Sequence, residues 1–130
     1  ARIVSYDWGT YLKRQREQPD DMDLFQLGWT GDNGDPDNFL AVLFDGLESK
    51  SIWTQWHNQA YHDLIQKGKQ TIDQAKRAEI YKEAQQILFD DVAAISIAHS
   101  TVKWLARKNV MNFKLHPTGG VRMKNVWLDK

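Results

Sequence analysis

Residues 28–39 read GWTGDNGDPDNF and place Asp32, Asp35 and Asp37 close together beside Trp29, with no basic residue among them. Three kinds of chemistry use such a set: coordination of a hard cation, the start of a helix, and reception of a cationic ligand. A calcium loop of the EF-hand type alternates oxygen ligands and ends in a glutamate at its twelfth position. Counted from Asp32, position twelve is Leu43; counted from Asp37, positions three and five are Phe39 and Ala41. Neither register works, and no metal site is expected. Asp35-Pro36 instead reads as a helix start, with Asp35 as N-cap and Pro36 at the first helical position. Asp37 then falls in the first turn, where negative charge meets the positive end of the helix dipole. Asp32 has no such duty. Gly31 and Gly34 on its two sides let a backbone come close to a ligand. A carboxylate next to aromatic surface suits an ammonium group, and a charge-assisted bond of that kind contributes roughly 1.5–3 kcal/mol net. Trp29 serves either as a wall for the ligand or as core.

Other chemistries find less support. His57 and His62 are five residues apart, whereas two metal ligands on one helix face need a spacing of three or four. They read as exposed polar residues at a helix start. His99 lies in an apolar stretch and reads as a hydrogen-bonded core histidine; His116 precedes a turn and carries no signal. There is no cysteine and no Gly-x-Ser-x-Gly elbow for a nucleophile. The neighbouring acids Asp20/Asp21 and Asp90/Asp91 read as solvated loop residues. The glycines of residues 28–39 make no phosphate loop, because a run of aspartates repels phosphate and no Gly-Lys-Ser/Thr follows. No catalytic residue and no cofactor are expected.

The elements that must position Asp32 follow from residue pattern. Residues 2–6 are β-branched and aromatic and read as a strand. Asp7 is a candidate N-cap for an amphipathic helix over 8–17, with Trp8, Tyr11 and Leu12 on its apolar face. Residues 17–21 break it at Pro19. Residues 22–29 read as a second strand, with Phe25, Leu27 and Trp29 on one side. Strand, helix and strand with short links resemble a βαβ unit and favour parallel pairing. Residues 28–39 would then lie beyond the carboxyl end of a strand, where open α/β sheets bind ligands. The helix begun at Asp35-Pro36 would bury Phe39, Val42 and Leu43 and stop near Gly46. Trp53 and Trp56 fall in an irregular link. Asn58 caps a helix with Tyr61, Leu64, Ile65 and Gly68 in one stripe. A longer helix spans about 73–90, with Ile80, Tyr81, Ala84, Ile87 and Leu88 inward. Residues 93–106 read as a long buried strand, and 112–130 as short strands and turns around the Pro117-Thr-Gly-Gly sequence.

The 130 residues, 42% apolar and 26% charged, suffice for one domain with a modest core. The longest strongly apolar run, VAAISIA at 92–98, is far short of the ~20 residues of a spanning helix. No signal peptide is visible, and the chain opens as a strand already under way, as a piece of a longer protein would. Net charge is zero, so no global basic field draws nucleic acid or anionic membrane. The distribution is uneven. Glu17, Asp20, Asp21, Asp23, Asp32, Asp35, Asp37, Asp45 and Glu48 follow one another with no Lys or Arg between them. Much of this charge suits solvated loops and helix caps; collectively it favours a cationic ligand group.

The segments YDWGTYLKR, GWTGDNGDPDNF, AEIYKEAQQIL and IAHSTV, in this order, resemble the C-terminal part of the periplasmic dipeptide-binding proteins, the substrate-binding components of peptide ABC importers. The resemblance covers essentially the whole chain, and residues 28–39 are its most specific part. It implies an α/β fold: a fragment of the second lobe of a two-lobed periplasmic binding protein, with a mixed sheet flanked by helices. Residues 1–113 would belong to that lobe and carry half of the peptide site, and 114–130 would be a tail returning to the first lobe. Asp32 would pair with the α-ammonium group of a dipeptide or short peptide, Trp29 would line the pocket, and Gly28, Thr30 and Gly31 would supply backbone or hydroxyl contacts. An arginine for the ligand carboxylate would lie upstream of Ala1. The partners implied are the peptide and, through the full-length protein, a membrane-embedded permease; neither nucleic acid nor direct membrane insertion is implied. The location implied is the periplasm, and the protein would not be an enzyme. Two features depart from the family: no cysteine follows the NF helix, and Ala93 and Ala94 stand where a proline-containing approach is usual. Relatives that bind haem, glutathione or antimicrobial peptides offer an alternative ligand. A small-peptide hydrolase is the alternative of another class, and it lacks any nucleophile or metal set.

Overall fold

The computed structural model describes residues 2–18, 21–48, 55–116 and 118–129. Four helices come first: α1 (Trp8–Glu17), α2 (Asp37–Phe44), α3 (Gln59–Gln70) and α4 (Gln74–Asp90). Two short strands follow, β1 (Val110–Met111) and β2 (Trp127–Leu128). Short polar side chains start the helices. The Asp7 carboxylate accepts from the Thr10 N–H at 3.1 Å, the Asn58 amide oxygen from Tyr61 at 3.0 Å, and Asp73 from Lys76 at 2.9 Å. Each bond satisfies a first-turn donor that has no partner within the helix.

The core is where α2, α3 and α4 meet. Tyr61, Ile65 and Gly68 recur on one stripe of α3 and are buried, as are Ile80, Tyr81 and Ala84 on α4. Leu40 and Ala41 of α2 close the cluster, with Phe44, Trp56, Leu64, Ile87 and Leu88 packed around it. The Tyr61 hydroxyl donates to the Leu40 carbonyl at 2.9 Å, so the buried phenol keeps a partner. Trp56 meets the Tyr61 ring edge-on at 4.9 Å, and its indole N–H donates to Asp91 just past α4. Gly68 sets how closely α3 and α4 approach: a Cβ there would lie 2.6 Å from the Tyr81 ring.

The class is α/β, as expected, but within the described residues the sheet is one antiparallel pair, Val110 opposite Leu128 and Met111 opposite Trp127. An isolated bridge, Leu115 to Val121, lies inside the loop they enclose. Residues 2–6, 22–29 and 93–106, expected as strands, form no ladder, and the βαβ unit is therefore not assembled. A strand exists only through its neighbour, and these three make no ladder pairing with any described segment. Their apolar side chains stay uncovered: Ile3 is 93% exposed, Ile97 73% and Leu105 102%. His99 shares that exposure and is no core histidine. Two helix faces also differ from expectation. Trp8 points to solvent, while Tyr11, Leu12 and Gln15 face inward; the Tyr11 hydroxyl donates to the Gln26 carbonyl at 2.7 Å. In α2 the most buried residues are Leu40 and Ala41, with Val42 and Leu43 half-buried and Phe39 39% exposed. Leu40 and Phe44, four apart, are the pair that α3 covers. Pro19 and Asp20 of the expected break, residues 49–54 including Trp53, Pro117 of the expected turn, Ala1 and Lys130 lie outside the described residues.

Helix α4 ends in a Schellman turn. The N–H of Val92 donates to the Phe89 carbonyl and that of Ala93 to Leu88, both at 3.2 Å. Val92 occupies the left-handed position usually given to glycine, with φ of 51°. Such a conformation costs a residue bearing a Cβ about 1–2 kcal/mol.

Two substitutions test this packing by urea denaturation. Gly68→Ala is expected to lower stability by about 1–2 kcal/mol, because overpacking against Tyr81 exceeds the gain of alanine over glycine in a helix interior. Val92→Gly is expected to raise it by roughly 0.5–1 kcal/mol, the left-handed penalty less the extra freedom of glycine in the unfolded chain.

Candidate functional site

The loop before α2 is held by three side chains. The Asn33 amide oxygen accepts from the Asp35 N–H at 2.9 Å, a short turn that orients the approach to the helix. Asp35 then caps the entry: its Oδ1 accepts from the Asp37 N–H at 2.9 Å, and its carbonyl accepts from Asn38 at 3.1 Å. The assigned helix begins at Asp37 with Pro36 at its cap position, one residue later than Asp35-Pro36 suggests; the capping oxygen is nonetheless that of Asp35. Third, the Asn38 Oδ1 accepts two bonds from the loop, from the Trp29 indole N–H at 3.0 Å and from the Asp32 backbone N–H at 3.1 Å. One amide oxygen thus fixes both Trp29 and Asp32.

The three aspartates have different surroundings. Asp35 is clamped from outside the loop. Arg77, in the first turn of α4, donates Nη1 to Oδ2 and Nη2 to Oδ1, both at 2.8 Å. The same guanidinium donates Nε to the Gly68 carbonyl at 3.0 Å and Nη2 to the Tyr81 hydroxyl at 2.9 Å, and lies over the Tyr81 ring. Hydrogen bonds from Arg77 hold the Asp35 carboxyl below the usual carboxylate range, against the upward push of burial. Asp37 lies in the first turn of α2 as expected, with Oδ1 buried and without a hydrogen bond among the described residues. Burial pushes its carboxyl up, and the ammonium of Lys69, 4.0 Å away, partly opposes this. Asp32 is exposed, and no described side chain bonds or pairs with its carboxylate.

Around Asp32, Trp29 is half-buried, Gly28 and Thr30 are exposed, and Gly31 is partly covered. These residues are brought together by the loop itself. Gly31 also has a packing role: a Cβ there would meet the Phe39 ring at 2.6 Å, so its lack of a side chain lets the loop fold onto the start of α2. Residues 22–29 lead into the site without a ladder, so the loop follows an unpaired segment rather than the end of a sheet strand.

His62 was expected as an exposed polar residue. Its Nδ1 instead lies 2.9 and 3.0 Å from the two oxygens of Asp45, which is 2% exposed. A carboxylate buried so deeply needs such a partner. Among the described residues, no three His, Asp or Glu side chains converge as metal ligands. Asn38 and Arg77 are the residues that sequence reasoning missed. Asn38 carried a weak signal, since asparagine is unfavourable inside a helix and competes for backbone groups. Arg77 carried only its spacing of four from Tyr81 on one helix face.

No family model matches the chain. The dipeptide-binding protein of Escherichia coli K12 is 43% identical over 131 residues, 99% of this chain and 24% of its own length. Di/tripeptide-binding protein 3 of Pseudomonas aeruginosa is 48% identical over 119 residues, 90% of this chain and 22% of its own. The chain thus spans under a quarter of the length of these relatives. Among solved structures, HbpA2 from Haemophilus parasuis matches with a TM-score of 0.70 at 29% identity, over 98% of this chain and 25% of that one.

The clamp has a definite pH dependence. A depressed carboxyl contributes stability that is complete above the ordinary aspartate pKa, near 3.9, and is lost as pH falls through the lower folded value. The unfolding free energy of the wild type minus that of Asp35→Asn is expected to be positive and constant above about pH 5. Below that it should shrink, as followed by urea denaturation at stepped pH.

Proposed function

We propose, from the premise that this chain is a homologue of the dipeptide-binding proteins along nearly its whole length, that it supplies the ammonium-binding side of a site for dipeptides or short peptides. The parent is a substrate-binding component of an ABC importer, working in the periplasm and delivering peptide to a membrane permease without catalysing a reaction. Residues 1–113 contribute to the ligand-binding lobe and 114–130 form its returning tail. No described helix is long and apolar enough to cross a membrane, and a binding component that hands its ligand to a separate permease needs none.

One observation carries the reading. Of three neighbouring aspartates, Asp35 is consumed by Arg77 and the α2 entry and Asp37 is half-buried near Lys69, whereas Asp32 presents, beside a fixed indole, a carboxylate with no partner among the described residues. That combination is what a peptide α-ammonium group requires: an anion to accept its protons and an apolar wall to exclude water from one side. Gly28, Thr30 and Gly31 line the approach. In the parent, a group for the ligand carboxylate comes from a part of the protein other than this chain.

In the full-length protein that carries this segment, Asp32→Ala is expected to weaken dipeptide binding by about 2–5 kcal/mol, as for removal of one partner of an enclosed charge pair. Titration calorimetry with a dipeptide reads this directly, and unchanged affinity rules Asp32 out as the anchor. Incubation with dipeptide followed by product analysis should show no cleavage.

A further inference from the structure

We infer that Arg77 is a positioning residue for the peptide site: through the carboxylate of Asp35 it sets the shape of the loop that presents Asp32 and Trp29, without itself touching the ligand. The inference rests on the reading of Asp32 as the ammonium anchor.

The connection is continuous. Arg77 is fastened where Gly68 of α3 packs against Tyr81 of α4. Its Nε bonds the Gly68 carbonyl, and Nη2 bonds the hydroxyl of Tyr81, the ring against which Gly68 packs. From that fixed point two parallel bonds of 2.8 Å run to Asp35. Asp35 in turn holds the N–H groups of Asp37 and, through its carbonyl, Asn38. Asn38 holds the Trp29 indole and the Asp32 backbone. A planar fork on a carboxylate fixes orientation as well as distance, which a lysine ammonium cannot reproduce. The pair is partly shielded, with side-chain exposures of 15% for Arg77 and 32% for Asp35, so water competes for it less than for a surface ion pair. A helix-start aspartate needs no arginine for capping, since the Asp37 N–H alone completes the cap. The fork therefore contributes something the helix does not require, namely the placement of the loop against α4.

The structure holds two indoles that separate this role from general stability. Trp29 reports the loop through Asn38, and Trp56 reports the other end of the core through Asp91 and the Tyr61 ring. In the full-length protein labelled with 5-fluorotryptophan, the two fluorine signals are identified by their loss in Trp29→Phe and Trp56→Phe. Arg77→Lys and Arg77→Gln are then compared with the wild type. The expected result in both is a shifted or split Trp29 signal, an unmoved Trp56 signal, and dipeptide dissociation constants raised roughly 2- to 30-fold. Arg77→Lys keeps the charge and the aliphatic stem, so it covers the case in which Arg77→Gln does not fold. A Trp29 signal that stays in place, signals that move together, or unaltered affinity with a moved Trp29 signal would each overturn the inference. Failure of the anchor reading is seen separately, as Asp32→Ala binding dipeptide like the wild type while the two indole signals in the Arg77 variants still part company.

Discussion

The fork between Arg77 and Asp35 is the constraint on which the arrangement of this chain depends. It joins a loop that has little apolar surface of its own to the helical core, and it does so across 42 residues of sequence. It adds to the ties that residues 28–36 make through the first turn of α2 and the Asn38 amide. With it, the acidic loop is referenced to the α3–α4 contact, where backbone and ring are separated by no more than the missing side chain of Gly68. The core and the site are therefore one construction: the atoms that fix the helix spacing also fix Arg77, and Arg77 fixes the loop.

A second charged pair serves the core in a different way. Asp45 ends α2 and is almost fully removed from solvent, yet His62 on α3 bonds both of its oxygens. This ties the C-cap of α2 to α3, as Tyr61 ties Leu40 to the same helix. Helix α2 is thus held at its middle by a phenol hydroxyl, at its end by an imidazole and at its entry by a guanidinium. Three side chains from two other helices, each held by directional bonds, compensate for its short length, which alone would leave it marginal.

The parts legible in the sequence are those decided locally. Asp7 and Asn58 announced helix starts because a capping oxygen and its N–H lie within three residues. The stripes of α3 and α4 were legible because periodicity is a local property. Residues 28–39 stood out for the same reason, and their division into helix-start aspartates and one remaining aspartate holds in the structure. What escaped notice is long-range. Arg77 is an ordinary exposed-type residue in sequence, and only the fold brings it to Asp35. His62 looked solvated because nothing near it in the chain reveals Asp45. The stretches 2–6, 22–29 and 93–106 have strand composition, but pairing is a property of two segments, and composition describes one. The inner face of α2 was misread by one position because Phe39 is needed against Gly31 rather than against α3.

The single amide oxygen of Asn38 has a thermodynamic consequence. Because it accepts from both Trp29 and Asp32, the indole plane and the backbone of the loop are set before any ligand arrives. Ordering a flexible side chain on binding costs about 0.5–1.5 kcal/mol each, and here that entropy has already been lost during folding. On the proposed reading of Asp32 as the ammonium anchor, what remains to be immobilised on arrival of the ligand is essentially the Asp32 side chain, with its two rotatable bonds.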